Sequence, residues 1–198
     1  MTSSASSRPL RADARQNADA LLVAARAVFE RSGVDAPARE VAAEAGVGVG
    51  TLYRHYPTRA DLVTAVFTTE IDATAAAAAE LRRRYPPGEA LDQWIARFTQ
   101  FVATKQGLAA ALRSGDPAFD ALPAYLEATL GPALRSLLEA AVASGEVRPD
   151  VDALDLLQAI GDLSHRAPSA DGSPNPMVRL LVDGLRVRGR PVRAPRPD

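Results

Sequence analysis

Cysteine is absent from this 198-residue chain, which excludes disulfide bonds, thiolate nucleophiles and cysteine-ligated metal sites. No stretch approaches the roughly 18 consecutive apolar residues that a membrane span needs. The first ten residues also lack the apolar core of a secretory signal. We therefore expect a cytoplasmic protein without a membrane partner. Hydrophobic residues make up 47% and charged residues 24%, which is the usage of an ordinary globular chain.

A basic excess is missing too. The formal net charge is −1, whereas many nucleic-acid-binding domains are strongly basic. The first 60 residues hold eight arginines and six acidic residues, a surplus of only two positive charges. If this region binds DNA, we expect the phosphate contacts to come from a few placed side chains and helix N-termini, not from a basic surface.

Apolar residues recur at helical spacing along most of the chain, and no strand-like alternation of useful length occurs. Residues 1–14 are polar and predict a mobile arm. A first helix is predicted to begin at Asn17, which can cap it, and to end before Gly33, which can terminate it. The other predicted helices cover residues 37–45, 49–55, 59–84, 89–105, 107–114, 121–144, 152–165 and 175–187.

The pattern predicts an all-α fold with two helical domains. The first, at residues 15–60, is a three-helix bundle that contains a helix-turn-helix. The second spans residues 61–188, and the tail at 189–198 is rich in proline and arginine, a composition typical of disorder.

The stretch from Ala38 to Leu62 is the most informative. Two short predicted helices are separated by Gly46, and glycine tolerates the positive φ that a tight turn between steeply crossing helices needs. We expect Val41 of the first helix to meet Leu52 of the second in a small core. The second helix then has a leading edge of small residues, which can enter a DNA major groove about 12 Å wide.

The residues at this edge have the chemistry for DNA contacts. Thr51 can donate to a phosphate or place its methyl group against thymine, and Arg54 can pair with a phosphate or a guanine edge. Tyrosine hydroxyls can donate to the DNA backbone, and Arg59 opens the next helix, where a cation and free N–H groups suit a phosphate. A plain helical hairpin with the tyrosines in its core is the alternative for any single residue. The predicted DNA-binding residues are Arg39, Gly48, Val49, Gly50, Thr51, Tyr53, Arg54, His55, Tyr56 and Arg59.

This stretch resembles the DNA-binding domain of the TetR family of bacterial regulators, over roughly residues 15–67. Further along, the run GEVRPDVDALDLLQAIGDL resembles the region of SbtR-like members that leads into the dimerising helices. Two positions depart from the family pattern, because Gly48 stands where serine is common and Arg59 where lysine is common. Both departures bear on operator choice. The matching positions are Ala25, Phe29, Gly33, Val41, Ala42, Ala45, Gly46, Val47, Gly50, Thr51, Leu52, Tyr53, Tyr56, Pro57 and Leu62.

The resemblance implies a homodimer and a small-molecule effector. The last two helices would pair with their copies, through the predicted interface residues Leu154, Leu157, Val178, Leu181 and Leu185. A ligand cavity would lie in the C-terminal domain, with a plain hydrophobic core as the alternative reading of each aromatic residue. The predicted ligand-binding residues are Trp94, Arg97, Phe98, Phe101, Phe119, Tyr125 and Asp162, with Gln93 and Thr104 as further polar candidates.

Other patterns give no catalytic or metal site. The glycine-rich run at 46–50 lacks the spacing and the lysine of a phosphate-binding loop. Asp162 and His165 have the spacing of two ligands on one helix face, but no third ligand accompanies them. No Ser-His-Asp arrangement has motif support, so we expect no enzymatic activity, no metal and no cofactor.

Two clusters of arginine have competing explanations. Arg82, Arg83 and Arg84 end a predicted helix, where cations are favoured by the helix dipole. Arg8, Arg11 and Arg15 lie in the predicted arm, and such arms can reach into a DNA minor groove.

The function predicted from these features is a DNA-binding transcriptional regulator. We expect double-stranded operator DNA as its partner and repression that is relieved when a small-molecule effector changes the tilt of the long helix that begins at Arg59. The alternative is a dimeric helical ligand-binding or interaction protein without operator recognition, which the near-neutral charge leaves open.

Overall fold

The computed structural model describes residues 7–103, 117–164 and 175–187, with the backbone alone at 7–16 and 103. These residues form eight α-helices and one short 3₁₀ turn, Pro117–Phe119, and they contain no β-strand, so the all-α prediction is confirmed. The helices are α1 Ser7–Ser32, α2 Ala38–Glu44, α3 Val49–His55, α4 Arg59–Arg84, α5 Pro87–Ala103, α6 Leu122–Ala143, α7 Ala153–Ser164 and α8 Pro176–Leu185.

The start of α1 differs from the prediction. The helix begins at Ser7, ten residues before Asn17, so the prediction of a mobile arm over residues 1–14 was wrong for residues 7–14. Residues 1–6 lie outside the described part of the chain. The added segment consists largely of arginine, alanine, leucine and glutamine, which have high helix propensity. Pro9 lies in the first turn, where its missing N–H leaves no hydrogen bond unmade. An apolar period is absent there, so periodicity alone gave no signal.

The other described helices begin and end within two residues of their predicted bounds. Proline and glycine explain this agreement, since they stop a helix through the backbone itself. The predicted helix at 107–114 and the predicted disordered tail at 189–198 lie outside the described residues.

The chain divides into two compact units. Unit 1 comprises Met1–Ala73 and Phe101–Thr129, and unit 2 comprises Thr74–Gln100 and Leu130–Asp198. The division therefore differs from the predicted boundary after residue 60. Contacts inside unit 1 show why: the Tyr125 hydroxyl donates to Asp72 Oδ1 at 2.6 Å.

The core of unit 1 follows the apolar stripe predicted for its first helix. Leu21, Ala25 and Val28 of α1 are fully buried, and α1 contacts both α2 and α3. In unit 2 the α5 residue Trp94 is fully buried, its Nε1–H donates to the Thr74 carbonyl oxygen at 2.9 Å, and its ring stacks on Phe98 with centroids 5.7 Å apart.

A polar network joins the ends of three segments in unit 2. Arg186 Nη2 donates to Asp92 and, at 3.2 Å, to the Gly88 carbonyl oxygen. Glu146 Oε1 accepts from the Gly88 N–H at 3.1 Å and from the Ser144 hydroxyl at 2.8 Å. The Ser144 hydrogen bond holds the pKa of Glu146 below its ordinary value, whereas burial raises the pKa of Asp92 despite the nearby guanidinium. This network anchors the C-terminal end of α8 to the start of α5.

Among the described helices, α4 alone is long and apolar enough by length and composition to cross a membrane. Of its most apolar 18-residue window, 44% is buried inside the protein, and the core helix of a globular protein passes the same test.

The turn between α2 and α3 gives the first testable prediction. Gly46 has φ +68°, where a side chain at Cβ is disfavoured, whereas Gly50 lies in α3 with open space around it. We expect Gly46→Ala to lower the free energy of unfolding by about 1–2 kcal/mol, the cost of a left-handed conformation for an L-residue. We expect Gly50→Ala to raise it by about 0.4–1 kcal/mol, because alanine restricts the unfolded chain.

Urea unfolding of the two variants and the unmodified chain measures both shifts. The same sign of shift in both variants contradicts the conformation assigned to this turn.

Candidate nucleic-acid interface

The helix-turn-helix consists of α2, a short connection and α3. The connection turns tightly because Gly46 adopts a positive φ, which lets the Val47 N–H donate to the Ala42 carbonyl oxygen at 2.9 Å. A glycine in this conformation just past a helix end is the common way to stop one helix and redirect the chain. Pro57 follows the end of α3, which therefore stays short.

Packing holds the motif on α1. Val41 and Ala42 of α2 and Leu52 of α3 are each at most 2% exposed. At the edge, Arg31 of α1 pairs with Glu44 of α2 at 3.4 Å. Two helices of seven residues are too short to persist alone in water, so their stability comes from this contact with α1.

The outer face of α3 is open. Leu52 is its single buried residue, while Val49 is 39% and Tyr53 49% exposed. Arg54 is exposed and Thr51 is partly exposed. All ten predicted DNA-binding residues are at least partly exposed, so the helix presents the edge that groove entry requires.

Tyr56 lies at the end of α3, next to α1. Partial burial raises the pKa of its phenol above the ordinary value, and the carboxylate of Asp19 on α1 raises it further. The hydroxyl therefore stays protonated at neutral pH and can donate a hydrogen bond to a phosphate oxygen.

Arg59 has a different partner from the one predicted. Its Nη2 donates to the carbonyl oxygens of Val34 and of Ala36, the latter at 2.8 Å, in the loop between α1 and α2. The prediction that this guanidinium holds a phosphate is therefore corrected for that nitrogen, which is occupied inside the protein. Arg59 instead ties the start of α4 to the loop that leads into α2.

A capping box that the sequence analysis missed fixes the start of α4. Asp61 Oδ2 accepts from the Thr58 N–H at 2.9 Å and from its hydroxyl at 2.8 Å, while the Asp61 N–H donates to Thr58 Oγ1 at 3.0 Å. The signal was present in the sequence, because threonine followed three residues later by an acidic residue is typical of this cap.

The predicted ligand residues are divided between the two compact units. Trp94 and Phe98 belong to unit 2, whereas Phe101, Phe119 and Tyr125 belong to unit 1. Four of these aromatic side chains are buried, and that of Tyr125 is 38% exposed. Arg97 and Asp162 are exposed, and Thr104 lies outside the described residues. Their role in binding an effector stays a prediction.

Two open pockets among the described residues are lined by none of the predicted ligand residues. One, of about 300 Å³, lies in unit 1 between α1 and α4, and Leu22, Val23 and Val66 contribute to its wall. The other, of about 230 Å³, lies in unit 2 between α5 and α8, and Asp92 and Arg186 lie at its wall.

The predicted dimer residues divide by burial. Leu157, Val178 and Leu185 are at most 4% exposed within one protomer. The prediction that they form a dimer interface was wrong for these three, because they have no surface left to bury against a partner. Leu154 and Leu181 are partly exposed.

The exposed apolar surface of α8 belongs to other residues. Met177 is 46% and Leu180 65% exposed. The sequence analysis followed the stripe of Val178, Leu181 and Leu185, and Met177 and Leu180 lie to one side of that stripe.

No group of three or more histidine or acidic side chains with metal-site spacing occurs among the described residues. His55 lies beside Tyr56 with ring centroids 6.4 Å apart. His165 lies outside the described residues.

Comparisons with known proteins identify both parts of the chain. A family described as bacterial regulatory proteins, tetR family, matches residues 21–66, and a family described as transcriptional regulator SbtR-like, C-terminal domain, matches residues 86–187. No protein of curated function matches the sequence.

Solved structures agree with these matches. A TetR transcriptional regulator from Streptomyces coelicolor is 35% identical, with a TM-score of 0.71 over 87% of this chain and 99% of that one. A TetR transcription regulatory protein from Mycobacterium vanbaalenii is 36% identical, with a TM-score of 0.71 over 90% of this chain and 100% of that one. A fatty acid degradation regulator from Bacillus halodurans, 19% identical with a TM-score of 0.63, shares the fold over 87% of this chain and 97% of its own.

The position of Arg59 gives a second prediction. We expect Arg59→Ala to lower the free energy of unfolding by about 1–2 kcal/mol, because it removes charge-assisted hydrogen bonds to two backbone carbonyls at a partly exposed site. Arg59→Lys should restore only part of this loss, since an ammonium group lacks the planar fork of guanidinium. Urea unfolding measures the change.

The matched control is Arg39→Ala, an exposed arginine without an ion pair to a described residue. We expect it to change stability by no more than about 0.5 kcal/mol. Equal effects of the two alanine substitutions contradict the structural role of Arg59.

Proposed function

We propose that this chain, which belongs to the TetR family of bacterial regulatory proteins and is a DNA-binding transcriptional regulator, represses transcription as a homodimer. In this proposal a small-molecule effector lowers the affinity of the homodimer for operator DNA. The open face of α3 supports the DNA-binding step most directly. Six of its seven residues are at least partly exposed, on a helix held in place by α1 and α2.

In this proposal, α3 enters the major groove with Val49 and Gly50 leading. Small residues there let the helix approach the bases closely, so Thr51 and Arg54 reach base edges or phosphates one turn later. Tyr53 and Tyr56 donate hydroxyl groups to the DNA backbone. Arg39 adds a second positive charge from α2 to that of Arg54, and the other contacts come from neutral donors.

Two copies related by a two-fold axis read a pseudo-palindrome. Their recognition helices then lie about 34 Å apart, or a multiple of that distance, to match one turn of DNA. We place the dimer interface on α7 and α8, using the exposed Met177 and Leu180 with the partly exposed Leu154 and Leu181. Such an apolar face on a surface helix is typical of an interaction site.

The effector step acts through α4. This helix is continuous from Arg59 in unit 1 to Arg84 in unit 2. Its first residue is bonded to the carbonyls of Val34 and Ala36, so a change in the tilt of α4 displaces the loop that leads into α2. An effector that binds the DNA-incompetent spacing more tightly then lowers operator affinity by the ratio of its two affinities. Such a regulator works in the cytoplasm, where the chromosome is, and needs no enzymatic activity.

Operator recognition gives the third prediction. A duplex selected by the unmodified chain from a random-sequence library serves as the operator. We expect Thr51→Ala and Arg54→Ala each to weaken its binding by about 1–3 kcal/mol, roughly 5–150-fold, if they contact bases. Fluorescence anisotropy at fixed salt measures the affinity.

Arg83→Ala removes an exposed arginine at the end of α4 and serves as the control. It should leave operator affinity within about twofold, because a lone exposed charge acts weakly through screened solvent. If both α3 variants bind as tightly as this control, the assignment of α3 as the recognition helix is wrong.

The dimer gives the fourth prediction. Leu180→Glu places a charge on the proposed apolar interface, where desolvating an unpaired carboxylate is costly. We expect a dimer at micromolar concentration to become a monomer, as measured by sedimentation velocity.

Val23→Glu is the control, since Val23 is also apolar and 72% exposed but lies on α1. The control should remain dimeric. A dimer that survives Leu180→Glu unchanged argues against an interface on α8.

A further inference from the structure

The small positive surplus of the N-terminal region does not come from the helix-turn-helix. Residues 17–60 contain five arginines and five acidic residues, so their formal net charge is zero. Residues 1–16 contain three arginines and one aspartate, so they hold the whole surplus of two found over residues 1–60. The three arginines are Arg8, Arg11 and Arg15.

Most arginines of the helix-turn-helix region are already engaged inside the protein. Arg26 pairs with Glu30 at 3.1 Å and with Glu70 at 3.0 Å, and Arg31 pairs with Glu44. Arg59 donates to backbone carbonyls.

Two arginines in this region, Arg39 and Arg54, are exposed and make no ion pair with a described residue. Affinity for DNA comes largely from the counterions released when cationic side chains neutralise phosphates. Two uncommitted arginines in each protomer supply few such contacts, so a further source of charge is needed.

The backbone of α1 places the three N-terminal arginines on one face. The helix is continuous from Ser7 to Ser32, and successive residues turn by about 100° in an α-helix. Arg8, Arg11 and Arg15 therefore fall within an arc of about 60°, and Asp13 falls on the opposite side of the helix. The segment has one basic face that no acidic residue interrupts.

This segment continues from a point beside the recognition helix. Helix α1 contacts α3, and the carboxylate of Asp19 on α1 raises the pKa of the Tyr56 phenol at the end of α3. The twelve residues that precede Asp19, beginning at Ser7, extend α1 by about 18 Å beyond that point. A helical segment of this length can span several phosphates, since each DNA strand carries one per about 3.4 Å of duplex.

From this charge distribution and helix register we propose that residues 7–17 of α1 are a second DNA-binding element, in which Arg8, Arg11 and Arg15 bind phosphates that flank each half-site. The proposal rests on the DNA binding described above and adds a surface outside the helix-turn-helix. The partner is the backbone of double-stranded DNA, recognised by its charge.

The helical state decides how these arginines reach DNA. An α-helix with side chains is about 10–12 Å across, whereas the minor groove of B-DNA is about 6 Å wide. This helical segment is therefore too wide to insert into the minor groove, as a mobile arm could. We expect it to lie along the phosphate backbone instead. Contacts of this kind add affinity without sequence preference.

The experiment compares the full-length chain with a triple variant, Arg8→Ala, Arg11→Ala and Arg15→Ala. Affinity for the selected operator duplex, and for an unrelated duplex of equal length, is measured from 50 to 300 mM salt. Each lost phosphate contact reduces the slope of log K against log salt by about 0.9, so we expect a loss of about 2.7 per protomer. Affinity at 100 mM salt should fall at least roughly tenfold on both duplexes, with their ratio nearly unchanged.

The chain offers a control with the same change in charge. Arg82→Ala, Arg83→Ala and Arg84→Ala together remove three exposed arginines from the end of α4. This variant should keep the original slope within about 1, which is one contact. An equal loss in both triple variants means that net charge alone is responsible, and it overturns the proposal.

Two further variants distinguish the effects of positive charge and of helical structure on DNA affinity from an effect of misfolding. Replacement of Arg8, Arg11 and Arg15 by lysine keeps the charge and should restore most of the slope. Ala12→Pro breaks the helix between the arginines and should lower affinity although every arginine remains. Urea unfolding of each variant tests that the core is intact.

The outcomes distinguish this inference from the function on which it rests. If the unmodified chain selects no duplex at all, the operator-binding proposal fails. If it selects one and the alanine triple variant keeps the full salt slope, the N-terminal element is wrong and the regulator assignment stands. Normal binding by Ala12→Pro overturns the helical form of the element.

Discussion

The left-handed turn at Gly46 is the constraint on which the DNA-binding face depends. It ends α2 and redirects the chain within a few residues, so α3 lies across its neighbours with a single side chain, Leu52, in the core. Neither short helix is stable without α1, because helices of this length are marginal in water. The motif is therefore held by its packing on α1, while six of the seven residues of α3 remain at least partly exposed. This exposure makes α3 available to a DNA groove.

Three of the five arginines at residues 17–60 bind groups of the protein itself. Arg26 and Arg31 join helices through carboxylates, and Arg59 holds a loop through backbone oxygens. These contacts engage positive charge inside the protein, so that less of it is available to DNA. Contacts with DNA are then left to neutral hydroxyl groups, to Arg39 and Arg54 and, in our proposal, to the three arginines at the start of α1.

Apolar periodicity predicted the helices well and their partners poorly. Leu157, Val178 and Leu185 were assigned to a dimer interface, yet all three are buried within one protomer. An apolar stripe predicts that one face of a helix is buried. It does not predict whether that face packs against the same chain or against a second copy. Leu180 is apolar and exposed, and only its solvent exposure distinguishes it from its neighbours.

The sequence by itself determined the helix order, the turn at Gly46 and the family, because glycine, proline and helix-capping residues act through local backbone geometry. It also contained the capping box of Thr58 and Asp61, which is equally local. Tertiary structure decided the partner of Arg59 and the burial of Val178, since both depend on segments that are distant in sequence. A side chain's chemistry is fixed by its identity, but its partner is fixed by which groups folding brings within hydrogen-bond reach.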